Sequence, residues 1–271
     1  MRLSGRVAVV TGGSRGIGRA VCLALAREGC DIVVAAKTDA EGGKLPGTIH
    51  ETAAEVEKLG RRALALKVDV REERDIQQMA ARTLEAFGRI DILINNAGAI
   101  NWADVPDQSA GKLDLMHQVN ARAAFLCSRA VLPSMIERRW GHIVMMSPPI
   151  RFGKLAGKVG YLLSKMGMTF VARGIAQECA EHNIAANALW PVTLVESQAT
   201  IHFQMGEPAQ WRKAEIVADA TTELCCLPPA TCTGQELYDE QILARVGITD
   251  LRKYQCVPGS EPEPLSRAII E

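Results

Sequence analysis

Much that would betray a specialised role is missing from these 271 residues. Neither sign of charge is in excess: 31 Lys and Arg stand against 31 Asp and Glu, a formal net charge of +0. That balance gives no electrostatic case for a nucleic acid or an anionic membrane as partner. No apolar run approaches the ~20 residues that cross a bilayer as a helix. The opening M-R-L-S-G-R-V-A-V-V-T-G goes straight into a strand pattern, so no signal peptide is expected. Internal repeats and low-complexity tracts are absent. The eight cysteines lack the paired C-x-x-C of a zinc site, and no metal is expected. Cys22, Cys30, Cys127 and Cys179 fall in apolar periodic segments as small buried hydrophobes. Cys225, Cys226 and Cys232 cluster late in the chain without a useful bridging spacing. A reducing compartment is the simplest reading. The final A-I-I-E matches no targeting signal, so the expected location is cytoplasmic.

What is present is the profile of one soluble domain with a substantial core, 48% hydrophobic and 23% charged. Apolar runs alternate with amphipathic stretches. Strands are expected at Arg6–Thr11, Asp31–Ala36, Ala63–Val68, Ile90–Asn95, His142–Ser147 and Ile184–Trp190, with a short seventh near Gln235–Tyr238. Helices are expected at Gly16–Glu28, Thr48–Leu59, Glu72–Phe87, Lys112–Arg139 and Tyr161–Ala180, several stopped by a glycine. Near-continuous apolar strands separated by helices indicate a parallel sheet covered on both faces. The fold class is α/β: a single doubly wound, Rossmann-type domain over 1–271 with a seven-stranded parallel sheet. Three segments break the rhythm: the long loop Lys37–Gly47, the segment 191–211 and an irregular tail over 248–271.

Two short stretches carry chemistry. Thr11-Gly12-Gly13-Ser14-Arg15-Gly16-Ile17-Gly18 follows the first strand and opens the first helix. Glycines there let the backbone approach a pyrophosphate, and the helix start offers free N–H groups. The plainer alternative is a tight turn needing glycine only for its dihedrals. In Tyr161-Leu162-Leu163-Ser164-Lys165 a phenol and an ammonium sit four residues apart, on one helical face. A nearby positive charge favours the phenolate, so the tyrosine is expected below its ordinary value of about 10. Alone, the pair commonly means a half-exposed aromatic beside a solvated lysine.

The spacing T-G-x-x-x-G-x-G, the N-N-A-G of Asn95 to Gly98 and the Tyr-x-x-x-Lys pair together resemble the short-chain dehydrogenase/reductase family. The resemblance implies catalytic roles for Asn120, Ser147, Tyr161 and Lys165. Tyr161 would exchange a proton with a carbonyl or alcohol oxygen, Ser147 would bond that oxygen, Lys165 would hold the nicotinamide ribose, and Asn120 a relay water. It also implies cofactor contacts at Gly12, Ser14, Arg15, Gly16, Ile17, Gly18, Lys37, Asp69, Val70, Asn96, Ala97, Gly98, Tyr161, Lys165, Pro191 and Thr193. Each has a plain counterpart: a helix cap for Asp69, turn residues for Asn95 and Asn96, a kink or core amide for Asn120, an ordinary strand-end serine for Ser147. Lys37 and Arg15 suit a 2′-phosphate, so NADP(H) is favoured over NAD(H), although Asp39 lies close enough in sequence to reach a ribose. Val192 stands where the family usually has glycine, so the loop there must differ.

D-L-M-H-Q-V-N, the Pro148-Pro149 pair and N-A-L-W-P resemble, within that family, the dehydrogenase domain of the hydroxysteroid dehydrogenase-like protein 2 group and its bacterial relatives, to about Pro264. The implied function is hydride transfer between NADP(H) and a lipophilic ketone, aldehyde or secondary alcohol. Segment 191–211 would be a substrate lid, with Trp102, Trp190, Phe203 and Met205 as either pocket or core. Arg151–Tyr161 would be a closing loop or a plain connection. The alternative is a cofactor-binding scaffold with little turnover; a lyase or epimerase using the same tyrosine is a third. A homotetramer or homodimer through the two long helices is also implied.

Overall fold

The computed structural model describes residues 1–40, 46–149 and 155–264. Parts of the expected loops Lys37–Gly47 and Arg151–Tyr161, and the end of the tail, lie outside the described residues. In chain order the elements are β1 (Val7–Thr11), α1 (Gly16–Arg27), β2 (Asp31–Ala36), α2 (Ile49–Lys58), β3 (Ala63–Lys67), α3 (Glu73–Phe87) and β4 (Ile92–Asn95). Then come α4 (Ala110–His117), α5 (Ala123–Arg138), β5 (Gly141–Met146), α6 (Val159–Glu178), β6 (Ile184–Trp190), β7 (Leu194–Val195) and α7 (Gln198–His202). The last are β8 (Trp211–Arg212), α8 (Glu215–Cys226), β9 (Glu236–Tyr238) and α9 (Asp239–Arg245).

The strands read as unbroken apolar runs because both of their faces are covered. Val7 and Val9 point to one layer with Val33, Leu93 and Ile143, and helices α3, α5 and α6 close it. Ala8 and Val10 point to the other, with Ile32, Val34 and Ile94, beneath α1, α8 and α9. The seven strands pair in the order β3-β2-β1-β4-β5-β6-β9, all parallel. The chain reverses direction across the sheet between β1 and β4, and a crevice opens at the carboxyl ends there, where such folds bind ligands. Local signals place the helices. Thr48 and Glu51 form a reciprocal capping box at the start of α2. Gly88, at φ +72, ends α3 in the left-handed conformation.

Three features differ from expectation. The long helix expected over Lys112–Arg139 widens into a π turn at Gln118–Arg122, between α4 and α5. Segment 191–211 is not merely a loop: β7 and β8 form a small parallel sheet around α7. Tail residues also return to the body: the Tyr254 hydroxyl donates to Asp219 at 2.6 Å, and Lys213 N donates to Tyr254 O at 2.7 Å.

At the opposite end of the sheet from the crevice, His142 is buried beneath Trp140, whose ring lies edge-on at 5.0 Å. Its Nε2 is 3.0 Å from Leu227 O, so that nitrogen carries the hydrogen, and Nδ1 has no partner among the described residues. Burial pulls its pKa from 6.5 down to about 4. Between those values the unfolded chain binds a proton that the folded one refuses, so stability falls as pH drops through that window. The urea midpoint of the wild type is expected to fall faster from pH 6.5 to about 4.5 than that of His142→Gln; parallel slopes would contradict this assignment.

Candidate active site

The glycine turn is shaped by the strand beside it. Asn96 Nδ2 donates to Thr11 O at 2.9 Å and Gly12 O at 3.2 Å. The Thr11 hydroxyl accepts from the backbone N–H of Asn96 at 3.0 Å and of Ala97 at 3.1 Å. A Cβ on Gly18 would lie 2.2 Å from Gly12 O, and one on Gly12, at φ +68, only 2.9 Å from Asn96 Nδ2. Both positions therefore require glycine. Asn96 is thus a clamp rather than a simple turn residue.

Three adjoining cavities run along the crevice. The outer one, about 210 Å³, is lined by Gly12, Lys37, Asp69, Val70 and Ala97. Asp69 accepts from Arg71 Nε at 2.9 Å and lies 3.3 Å from Lys37 Nζ. Chiefly Arg71, and then Lys37, hold this carboxyl well below the usual range. Asp69 does not cap α3; Glu72 occupies that position. The middle cavity, about 330 Å³, is lined by Ser14, Arg15, Gly16, Ile17, Gly18 and Thr38 on one side and Ser197 to Ala199 on the other. Arg15 donates to the Thr38 hydroxyl at 2.6 Å and to Gly47 O at 3.0 Å, with no carboxylate in contact among the described residues. Asp39 lines neither cavity; it lies 2.8 Å from His50 Nε2 and 4.0 Å from Lys67 Nζ.

The inner cavity, about 240 Å³, brings Tyr161 and Lys165 together with Asn96, Gly98, Trp190 and Pro191. Lys165 Nζ is 3.4 Å from Met168 Sδ and 5.4 Å from the centre of the Trp190 ring, a cation–π distance. Among the described residues no carboxylate pairs with it. Burial pulls the amine down to about 7. The expected lowering of the phenol is not found: burial pushes Tyr161 up instead. Removing both charged forms from water outweighs their mutual attraction, so this pocket favours phenol over phenolate and discounts the ammonium.

Asn120 and Ser147 stand behind the cavity rather than on its wall. Asn120 sits in the π turn, fully buried. Its Oδ1 accepts from Ala99 N at 2.8 Å, while Nδ2 donates to Ala99 O at 2.9 Å and to the Ser164 hydroxyl at 2.9 Å. Ser147, one residue past β5, is fully buried, and its Oγ is 2.9 Å from Thr169 Oγ1. Beyond Pro191, Thr193 is buried with its hydroxyl on Leu194 O at 3.1 Å, away from the cavities. Val192 keeps a negative φ, and its N–H donates to Asp239 Oδ1 at 3.0 Å. Asp239 is fully buried, which raises its carboxyl to about 6. Ser197, which with Thr193 is a candidate to replace the family's threonine after Pro191, lines the middle cavity; sequence reading missed Trp190 as the lysine's partner, Gln198 and Ala199 as cavity wall, and Asp239. No local motif marks them, because each acts on residues far away along the chain.

Comparison with known proteins decides the family. The model for short chain dehydrogenases matches residues 6–204. The chain belongs to the short chain dehydrogenase family. Hydroxysteroid dehydrogenase-like protein 2 of Danio rerio is 40% identical over 261 residues, which are 95% of this chain and 62% of that protein. The chain thus spans under two thirds of that curated relative. A solved short chain dehydrogenase of Mycobacterium thermoresistibile superposes with a TM-score of 0.90 at 38% identity, over 97% of this chain and 94% of that one. Less similar family structures hold different cofactors. A metagenomic short-chain oxidoreductase in complex with NADP is 28% identical, with a TM-score of 0.73 over 88% of this chain and 98% of that one. Carveol dehydrogenase of Mycobacterium avium in complex with NAD is 25% identical, with a TM-score of 0.78 over 88% and 96%. This short chain dehydrogenase is therefore an oxidoreductase of a family that binds nicotinamide cofactors. Its own residues fit such a group: a glycine cradle with no room for side chains, the start of α1 and an Arg15 that touches no carboxylate among the described residues all face one cavity.

A buried amine costs stability where it is charged. Between its folded value of about 7 and its ordinary 10.5 the unfolded state binds more protons, so stability rises with pH across that window. Lys165→Met is expected to raise the thermal midpoint at pH 6 by roughly 5 °C, and the gain should shrink as pH rises to about 10. A lower midpoint at pH 6 would show that the ammonium is stabilised by contacts other than those described.

Proposed function

We propose that the protein transfers a hydride between NADP(H) and a lipophilic ketone or aldehyde, or its secondary alcohol, with Tyr161 as general acid and base. The observation that carries this reading is the inner cavity. It places a phenol and an amine against apolar walls from Ile100, Met146, Trp190 and Val217, next to the glycine-turn cavity. When bound, the nicotinamide supplies or accepts the hydride. A raised pKa keeps Tyr161 protonated at neutral pH, ready to give its proton to a carbonyl oxygen. Lys165 in its ammonium form offsets negative charge developing on that oxygen and on the phenolate left behind. Ser147 supplies a second hydrogen bond to the same oxygen, and Asn120, locked to Ala99, holds the cavity floor and a relay water.

Charge supports NADP(H) over NAD(H). Arg15 faces the middle cavity and touches no carboxylate among the described residues, while Asp39, the side chain suited to a ribose hydroxyl, is engaged by His50 and Lys67. One observation favours the second reading, a cofactor-binding scaffold with little turnover: Ser147 is buried against Thr169 rather than on the cavity wall. For assembly as a homotetramer or homodimer, the support is the exposed Phe125 on α5 and the exposed Leu163 and Phe170 on α6.

Two measurements test this function. NADPH oxidation followed at the nicotinamide absorbance band, with decanal, 2-octanone and phenanthrenequinone, should show turnover. Tyr161→Phe should lower kcat by about 10³-fold while NADPH binding persists. Tight NADPH binding with no turnover on the whole panel would instead establish the scaffold. Arg15→Ala should weaken NADPH binding by roughly 10–100-fold and leave NADH binding almost unchanged. A wild type that binds NADH the more tightly would reverse the cofactor assignment.

A further inference from the structure

Thr169 is used by nothing described so far, yet its hydroxyl touches a site residue. Its Oγ1 lies 2.9 Å from Ser147 Oγ and 2.7 Å from Pro148 O. A hydroxyl carries one hydrogen, and a carbonyl oxygen can only accept. If Thr169 donates to Pro148 O, the contact with Ser147 is a hydrogen bond only when the serine is the donor. The Ser147 hydrogen then points at Thr169, and the serine offers any substrate only a lone pair. If Thr169 donates to Ser147 instead, the serine hydrogen is released and Pro148 O loses its partner. The first arrangement satisfies both contacts and is the resting one. Moving to the second needs only rotation of two hydroxyls, with no heavy atom displaced.

The placement of Thr169 is not that of an ordinary helical threonine. Buried Thr83, Thr221 and Thr222 each donate to the carbonyl four residues back in their own helix, at 2.7, 2.7 and 2.9 Å. Thr169 forgoes that bond and reaches across to the end of β5. It also follows Tyr161 and Lys165 at successive four-residue steps, so all three share one face of α6.

We propose that Thr169 is a positioning residue whose hydroxyl switches Ser147 between accepting a hydrogen bond from an alcohol and donating one to a carbonyl oxygen. The proposal rests on Ser147 contacting the substrate oxygen. At rest Ser147 suits an alcohol group. A carbonyl oxygen draws the serine hydrogen towards itself, and the Thr169 hydrogen swings from Pro148 O to support it.

Shape and hydroxyl can be separated at this position. Thr169→Val keeps the shape, and Thr169→Ser keeps the hydroxyl. With NADPH and decanal, or whichever carbonyl of the panel the wild type reduces fastest, Thr169→Val is expected to lower kcat/KM about tenfold. The loss should be equal in the reverse direction, because the overall equilibrium is unchanged. Thr169→Ser should stay within about twofold of wild type. NADPH affinity, read by quenching of tryptophan fluorescence, should not move in either variant; the thermal midpoint should hold in Thr169→Ser and fall by a few degrees in Thr169→Val, which leaves Pro148 O without its donor. In a Ser147→Ala background, Thr169→Val should add no further loss. Wild-type activity in Thr169→Val, equal damage in the two Thr169 variants, or losses that multiply with Ser147→Ala would each overturn the switch. Full activity in Ser147→Ala, or no wild-type turnover on the panel, would overturn the underlying reading of the serine instead.

Discussion

One side-chain amide fixes the geometry on which the crevice depends. Asn96 occupies the space beneath the glycine turn and binds two consecutive carbonyls, Thr11 O and Gly12 O. Because that space is filled, the turn tolerates no Cβ at position 12 or 18. Thr11 answers from the other side by accepting two N–H groups from the end of β4. β1 and β4 are therefore joined at their carboxyl ends by side chains as well as by the sheet ladder. This is where strand order reverses, and the helix dipole of α1 and the three cavities converge on the resulting gap.

Burial governs the chemistry inside that gap. A phenol and an amine are held where water is scarce, and neither has an ionic partner among the described residues. The pocket thus disfavours the charged form of both groups, as burial without an opposite charge does. Among the described residues the amine meets the Trp190 face and the Met168 sulfur, both soft rather than ionic. The contrast with Asp91 is instructive. That equally buried carboxylate is met by Arg6 at 3.0 Å and Arg89 at 2.6 Å, so its charge is compensated.

The sheet, the glycine turn and the Tyr161–Lys165 pair were legible in the sequence because each is written locally. Apolar runs mark strands buried on both faces, and a four-residue spacing marks one helical face. Other features depend on partners far away. Asn120 looked like a possible kink, but the π turn that accommodates it is read only against Ala99 and Ser164. The downward shift expected for the phenol failed because spacing reports which charge is near and says nothing of how much water is lost. Asp39 sat at a suitable distance in sequence for a ribose, yet His50 and Lys67 draw it elsewhere. Ser147 was identifiable as a strand-end hydroxyl, whereas the direction of its hydrogen depends on a threonine 22 residues away.

The bond from Val192 N to Asp239 Oδ1 spans 47 residues of chain. It ties the loop after Trp190 to the first residue of α9, beyond the last strand to join the sheet. During synthesis the glycine turn is complete long before Asp239 has left the ribosome. The Asn96 clamp on that turn is available early, whereas the support that Asp239 gives the loop after Pro191 waits for almost the whole polypeptide. The contacts that brace the inner cavity at Pro191 thus come from a later part of the chain than those that brace the glycine turn.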